Sequence, residues 1–198
     1  MNPILNRNSF FVKEHTGVFK ASNNYDIFDP EGDHTDPIIK CREVNLSGFA
    51  KLLRFNKDYK RMTPFEIVLT DKQDNKVLTV KRGWTFWRSE VEVLDENDQL
   101  IGTMRQKLLS LGGRFRVFDV NETEICQLQG KWTSWEFSFQ KEDVQLALVS
   151  KKFAGMAKEL FTTADNYLLT IDPRVVENSV ARTLIMASVM SIDMVLKE

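Results

Sequence analysis

Apolar and polar residues alternate with a period of two through most of this chain. Phe65-Glu66-Ile67-Val68-Leu69 leads into the polar run Asp71-Lys72-Gln73-Asp74-Asn75 and then Val77-Leu78-Thr79-Val80. That is the pattern of strand, turn and strand. It returns in Val91–Leu94 with Leu100–Met104, in Phe115–Phe118 with Ile125–Leu128, and in Trp135–Phe139 with Val144–Leu148. An earlier copy runs from Tyr25–Phe28 through Asp29-Pro30-Glu31-Gly32-Asp33 to Ile38–Lys40. One hairpin unit is thus weakly repeated, and a set of around ten or more short antiparallel strands is predicted. So many strands with turn signals between them specify a sandwich or a barrel.

The pattern changes at the end. Thr183 to Ile192 contains no charged residue, and its apolar members fall on every side of a helical wheel. A helix that is apolar all round must be enclosed by protein or by lipid. A membrane crossing needs about 20 apolar residues, and extending this run brings in Arg182 and Asp193. Enclosure by protein is therefore favoured. Asp172 and Pro173 suit an N-cap and a first helical position, which predicts a helix over about 173–197. No second sheet is left to cover it. The economical fold is mainly β: a closed antiparallel barrel with the C-terminal helix threaded through its centre, strands about 10–172, one domain over 1–198. Closure also removes exposed sheet edges.

Composition narrows the partners. The chain has 198 residues, 27 Lys plus Arg against 28 Asp plus Glu. No global basic field draws it to nucleic acid, so an anionic partner must be met by a local patch. Cys41 and Cys126 are isolated, with no metal spacing, and read as reduced thiols of a cytosolic protein. The N-terminal segment lacks a continuous apolar h-region, so no secretory signal is expected.

The C-terminal third carries a resemblance. Lys151-Lys152-Phe153, Glu159-Leu160-Phe161-Thr162, Ala164-Asp165-Asn166-Tyr167, Ile171-Asp172-Pro173 and the closing Ser191-Ile192-Asp193-Met194 resemble the phospholipid scramblase family. They resemble equally the plant LURP-one-related proteins, both within the tubby-like group. The resemblance covers roughly residues 10–198 and implies a twelve-stranded barrel around a C-terminal helix. It also implies a calcium-type loop at Thr163–Asp172, but Thr163 and Leu168 stand where an acidic residue and a glycine are expected. Asp165, Asn166 and Asp172 are a doubtful remnant of that loop. Calcium takes six to eight oxygens, so turn and cap roles are favoured for these three residues, and no cofactor is expected. The proline-rich arm and the palmitoylated cysteine cluster of scramblases have no counterpart here, which brings the chain closer to the LURP-one-related form.

Enzyme signatures are absent: there is no nucleophile elbow, P-loop or Rossmann fingerprint. His15 and His34 belong to no spaced pair. Two basic segments remain. Residues 49–62 read as a short helix with Lys51, Arg54, Lys57 and Arg61 on one stripe, Lys60 beside it, and Leu52, Phe55, Tyr59 and Met62 toward another. Such a segment can rest on an anionic membrane, or be a plain surface helix on the barrel wall. Lys81, Arg82 and Arg88 interleave with Trp84, Phe86 and Trp87. That suits a lipid headgroup interface or stacked bases, and equally a half-buried strand crossing.

The resulting expectation is a non-enzymatic binding module. Its candidate partners are anionic phospholipid, such as a phosphoinositide, or a protein at a membrane surface. It would be cytoplasmic and peripheral at the inner face of the plasma membrane. The alternative from another class is lipid scrambling between leaflets, which needs the final helix or a groove beside it to meet the bilayer. Nucleic acid is disfavoured by the charge balance.

Overall fold

The computed structural model describes residues 1–15, 22, 24–54, 62–85, 89–106, 114–131, 136–151 and 166–196, with the side chains of 131 and 193–196 excepted. Twelve strands close into one antiparallel barrel: β1 (Ser9–Glu14), β2 (Tyr25–Phe28), β3 (Ile39–Glu43), β4 (Phe65–Asp71), β5 (Lys76–Arg82), β6 (Glu90–Leu94), β7 (Leu100–Gln106), β8 (Phe115–Asp119), β9 (Glu124–Lys131), β10 (Glu136–Lys141), β11 (Val144–Ser150) and β12 (Asn166–Ile171). Each strand pairs with its sequence neighbours, and β1 closes the ring on β12, Phe11 opposite Leu168.

The hairpin repeat has a chemical basis. Asp71, Asp95 and Asp119 open three successive turns at equal intervals along the chain. The Oδ1 atom of Asp71 accepts from the N–H groups of Gln73 and Asn75, each at 2.9 Å. Asp95 does the same for Asn97 and Gln99, and Asp119 for Asn121 and Thr123. Within each turn Asp74 (φ 61°), Asp98 (φ 62°) or Glu122 (φ 60°) takes the left-handed conformation. The strand register shifts just before each turn, at 69/70, 93/94 and 117/118. An aspartate that bonds to the backbone ahead of it makes such a turn without glycine. The fourth hairpin repeats the bulge at 139/140 and the positive φ at Glu142.

Alternation places Phe65, Ile67 and Leu69 of β4 inside and Glu66, Val68 and Thr70 toward the outside. The inward residues of the strands form one apolar cluster with Leu184, Ile185, Met186, Val189 and Met190 of the C-terminal helix (Val180–Leu196). All five helix residues are fully buried. The two serines in this dry interior turn back on their own helix: Ser188 Oγ donates to the Leu184 carbonyl (2.6 Å) and Ser191 Oγ to that of Ala187 (2.9 Å). This satisfies hydroxyls that water cannot reach. Gly102 of β7 lets the helix approach the wall, because a Cβ there would lie 2.8 Å from Leu184 Cδ2 and would strike the Phe118 carbonyl. Cys41 and Cys126 are free and buried. Burial pushes both thiols up, that of Cys126 to about 12, so they act as small apolar fillers.

One sequence expectation changes. The final helix begins at Val180, not at Pro173. Asp172 caps a turn instead: its carboxylate accepts from the Arg174 N–H (2.8 Å), and its carbonyl accepts from Val175 N–H (2.9 Å). The chain leaves β12 in the wall and must cross the barrel end before it can enter the interior, and residues 172–179 make that crossing. Arg182 seals the entrance. Its guanidinium donates to the carbonyls of Val175, Asn6 and Arg7 and to Asn8 Oδ1 at 2.8–3.2 Å. Among the described residues it is the largest fully buried side chain.

Candidate functional site: an aromatic patch beside a charged cleft

The expected basic helix is seen in its first part, because residues 55–61 lie outside the described residues. It spans Gly48–Leu53, with Ser47 as N-cap accepting from the Ala50 N–H at 3.2 Å. Ala50 is its buried anchor. Phe49 and Leu52, three residues apart and so on one face, are 64% and 67% exposed. Trp84, which follows β5, is 48% exposed, and its ring lies 6.2 Å from that of Phe49. Three large apolar side chains thus stand in water on two neighbouring segments. Lys51 is exposed on the same helix.

The predicted stripe of cations is divided. Arg54 caps the helix and turns inward, away from Lys51. Its guanidinium meets the Glu43 carboxylate at 2.7 Å, donates to Thr63 Oγ1 (3.0 Å) and donates to the Pro64 carbonyl (2.6 Å). Arg82 is also inside, where the alternation of β5 places it. It donates to the Thr63 carbonyl (2.7 Å) and to Ser89 Oγ (3.2 Å), and its guanidinium lies over the Phe65 ring. Two cations therefore share one buried carboxylate. Burial first, and the neighbouring Arg54 second, push the Arg82 pKa down to about 10. Neither guanidinium is offered to an external surface. Among the eight predicted cations, Lys51 and Lys81 are the described ones that face outward. Lys57, Lys60, Arg61 and Arg88 lie outside the described residues, as do Phe86 and Trp87.

Lys81 stands in a ladder of charges on the outer wall. It is paired in register with Glu66 of β4 and Glu92 of β6, with its Nζ 3.2 Å from the Glu92 carboxylate. Glu66 accepts from Asn45 (2.8 Å), and Glu90 faces Arg105 at 3.4 Å. Asn45, Glu66, Lys81, Glu90 and Glu92, with Arg82, line a cleft of about 510 Å³. It reaches Leu46 and Gly83, the residues that lead into the aromatic patch on either side. A second, smaller cleft of about 340 Å³ lies between β11 and β12 near Asp172.

The calcium-type remnant is not gathered into one place. Asp165 lies outside the described residues. Asn166 is buried at the start of β12, and Asp172 follows its end. An extended strand advances about 3.3 Å per residue, which separates the two by about 20 Å. Arg174 holds the Asp172 carboxyl down at about 2 by hydrogen bonding and charge. His15 is engaged with Asp26 at 2.6 Å, and the His34 ring packs tilted against Phe11 and edge-on against Phe28. Sequence reasoning missed Glu43 as the partner of Arg54, and the meeting of Phe49 with Trp84. Both depend on segments far apart along the chain, and no local spacing signals them.

Comparison with known proteins agrees with the fold. A family model described as Scramblase matches residues 7–198. A phospholipid scramblase family protein of Schizosaccharomyces pombe is 25% identical over 182 residues, covering 84% of this chain and 47% of that protein. The chain thus spans about half the length of this relative. No solved structure matches the chain significantly. No helix among the described residues is long and apolar enough to cross a membrane, which leaves strands out of account. With the barrel, the enclosed helix and a family match over nearly its whole length, this chain belongs to the scramblase family.

Proposed function

We propose that this barrel is a non-catalytic module that docks on a phospholipid membrane through Phe49, Leu52 and Trp84, with Lys51 and Lys81 beside them. Scramblase family membership points to lipid-related work at a membrane. The observation that carries the finer reading is the aromatic patch. Contiguous exposed apolar side chains mark interaction surfaces, and tryptophan favours the membrane–water boundary, where its ring is half wet. Lys51 adds about 1 kcal/mol toward an acidic leaflet, while the charge of Lys81 is offset by Glu92. This suits the inner face of the plasma membrane, with anionic phospholipid as partner.

Scrambling is the second reading, supported by the name of the family and of the yeast relative. It requires the C-terminal helix, or a groove beside it, to meet the bilayer, and residues 182–192 of that helix are buried inside the barrel. Docking does not need it to move.

Co-sedimentation with vesicles containing or lacking acidic lipid tests the docking reading. The expected result is binding that rises with acidic lipid, falls with salt, and is lost in Phe49→Ser/Trp84→Ser. Equal sedimentation of that variant and the parent would remove the patch from the function. Dye-quenching in proteoliposomes separates scrambling from docking alone.

A further inference from the structure

Strand direction sorts the connections of the chain between the two ends of the barrel. The even-numbered strands all run toward the end where the C-terminal helix enters, and the odd-numbered strands run away from it. The segments outside the strands at the entrance end are residues 1–8, 29–38, 72–75, 95–99, 120–123, 142–143 and 172–179. They carry 13 Asp and Glu against 3 Lys and Arg. The segments that join strands at the opposite end are 15–24, 44–64, 83–89, 107–114, 132–135 and 151–165, and their sequence carries 12 Lys and Arg against 3 Asp and Glu. Their described residues include Lys51, Arg54, Arg114 and Lys151 and no carboxylate. The strands themselves hold 10 of each sign. A chain with a net charge of −1 is therefore bipolar along its barrel. Asp74, Asp98 and Glu122 pair with Lys40, Lys76 and Arg105. Those pairs soften the local field, but their cations are already counted with the strands.

Distance decides how such a molecule meets a charged surface. A six-residue strand spans about 20 Å, and a tilt of about 35–45° shortens this to about 15 Å along the barrel. The turns lengthen it again. The Debye length is about 8 Å at physiological ionic strength, so the two ends stand about two Debye lengths or more apart. With the cationic end against an acidic surface, the carboxylates of the far end are screened. Turned over, those carboxylates would face the surface and be repelled. On its side, the barrel would bring both excesses within reach, and they would largely cancel. The exposed Phe49, Leu52 and Trp84 lie on segments 44–64 and 83–89, at the cationic end. Charge and exposed aromatic surface thus select the same face.

We infer that the barrel meets an acidic surface end-on, with segments 44–64 and 83–89 toward the surface, the acidic hairpin turns away from it, and the C-terminal helix along the line of approach. Applied to an acidic leaflet, this rests on the docking reading and adds to it which end engages and how the barrel stands. The helix starts at the acidic end with Val180 and runs for 17 residues, about 25 Å. Its last turn therefore lies toward the leaflet, and it presents its end to the bilayer and not its length. Arg182 and the carbonyls of Asn6 and Arg7, which close the entrance, face away from lipid.

Two single-cysteine labels test the pose. Gly83→Cys stands at the cationic end, where a Cβ meets open space. Asn97→Cys stands in an acidic turn, where only the Asn97 backbone N–H is bonded to Asp95. The native Cys41 and Cys126 are buried. With vesicles of brominated acidic phospholipid, quenching of a fluorophore at 83 is expected to be at least five-fold stronger than at 97. Equal quenching at the two positions would overturn the pose and leave docking in place. The exposed triple variant Glu31→Lys/Asp143→Lys/Glu177→Lys reads the pose from charge. Its affinity for acidic vesicles is expected to stay within two-fold of the parent at 0.15 M salt, and to rise at least five-fold at 0.01 M, where the Debye length is about 30 Å. A five-fold rise already at 0.15 M would bring the acidic end to the leaflet and overturn the inference. Ion-exchange beads separate this pose from the docking reading. At pH 7 and low salt, both labelled proteins are expected to bind sulfonate beads, with acrylamide quenching blocked at 83 and not at 97. On quaternary-ammonium beads the blocked position is expected to be 97. Shielding of both labels alike on sulfonate beads would overturn the inference. If the parent ignores acidic vesicles yet shows the opposite shielding on the two beads, the charge axis stands and the docking reading falls.

Discussion

Arg54 and Glu43 form an ion pair of 2.7 Å whose side chains are 2% and 0% exposed. Arg82 lies beside them and carries a second positive charge into the same space. The pair holds the short helix against the barrel mouth, because Arg54 closes that helix and Glu43 ends β3. The same pair removes Arg54 from the outer surface and leaves Lys51 there. The surface chemistry of the proposed docking face is thus set by a buried contact.

Removing the carboxylate leaves two guanidinium groups without compensation. Glu43→Gln is expected to cost about 3–5 kcal/mol, the usual penalty for breaking a buried pair. Replacing both partners, as in Glu43→Leu/Arg54→Met, is expected to recover most of that loss. Urea denaturation of the three proteins checks this. A loss below about 1 kcal/mol in Glu43→Gln would show that the pair contributes little.

Arg182 is the seal between the barrel mouth and the final helix. Arg182→Met leaves the carbonyls of Val175, Asn6 and Arg7 without their donor in a buried place. Each lost charge-assisted bond is worth about 1.5–3 kcal/mol, though such losses are not additive. A total of about 3–5 kcal/mol is expected, with hydrogen exchange accelerated in residues 1–8 and 175–184 before the rest. Uniform acceleration across the barrel would show instead that Arg182 has no local role.

Glu142 holds a left-handed conformation that a side chain disfavours by about 1–2 kcal/mol. Glu142→Gly relieves this, and part of the gain is returned as chain entropy in the unfolded state. A net stabilisation of about 0.5–1 kcal/mol is expected from thermal melts. The matching change at Asp74 or Glu122 is expected to gain less. Those residues also pair, with Lys40 and Arg105 respectively.

Acid sensitivity follows from the turn carboxylates. Hydrogen bonds from Asn75, with more from Gln73, hold Asp71 below the usual range, and Arg174 holds Asp172 at about 2. A carboxyl with a lower pKa folded than unfolded favours the folded state above pH about 4. That contribution fades as pH falls toward 2. Stability measured down this range is expected to decline, and Arg174→Ala is expected to flatten the lower part of the decline. An unchanged acid limb in that variant would remove Asp172 from the account.

Much of this architecture was legible in the chain because it rests on local periodicity. The alternation in Phe65–Leu69 assigns inside and outside residue by residue. The repeated aspartates at 71, 95 and 119 bond only to backbone within four residues of themselves. The charge-free stretch from Thr183 to Ile192 demanded a dry enclosure, and twelve closing strands supply one. Local pattern did not show which cations face water. Arg54 and Lys51 share a helix and look equivalent in sequence, yet one meets Glu43 inside and the other meets solvent. The start of the final helix was misplaced for a related reason. Asp172-Pro173 has the right chemistry for a cap, but the distance from wall to axis decides that helix begins only at Val180. Short-range hydrogen bonding and hydrophobic alternation act between near neighbours, so the amino-acid order determined strands, turns and the buried helix. Burial of charge and the path across the barrel end depend on what distant strands bring together, and only closure of the barrel decided them.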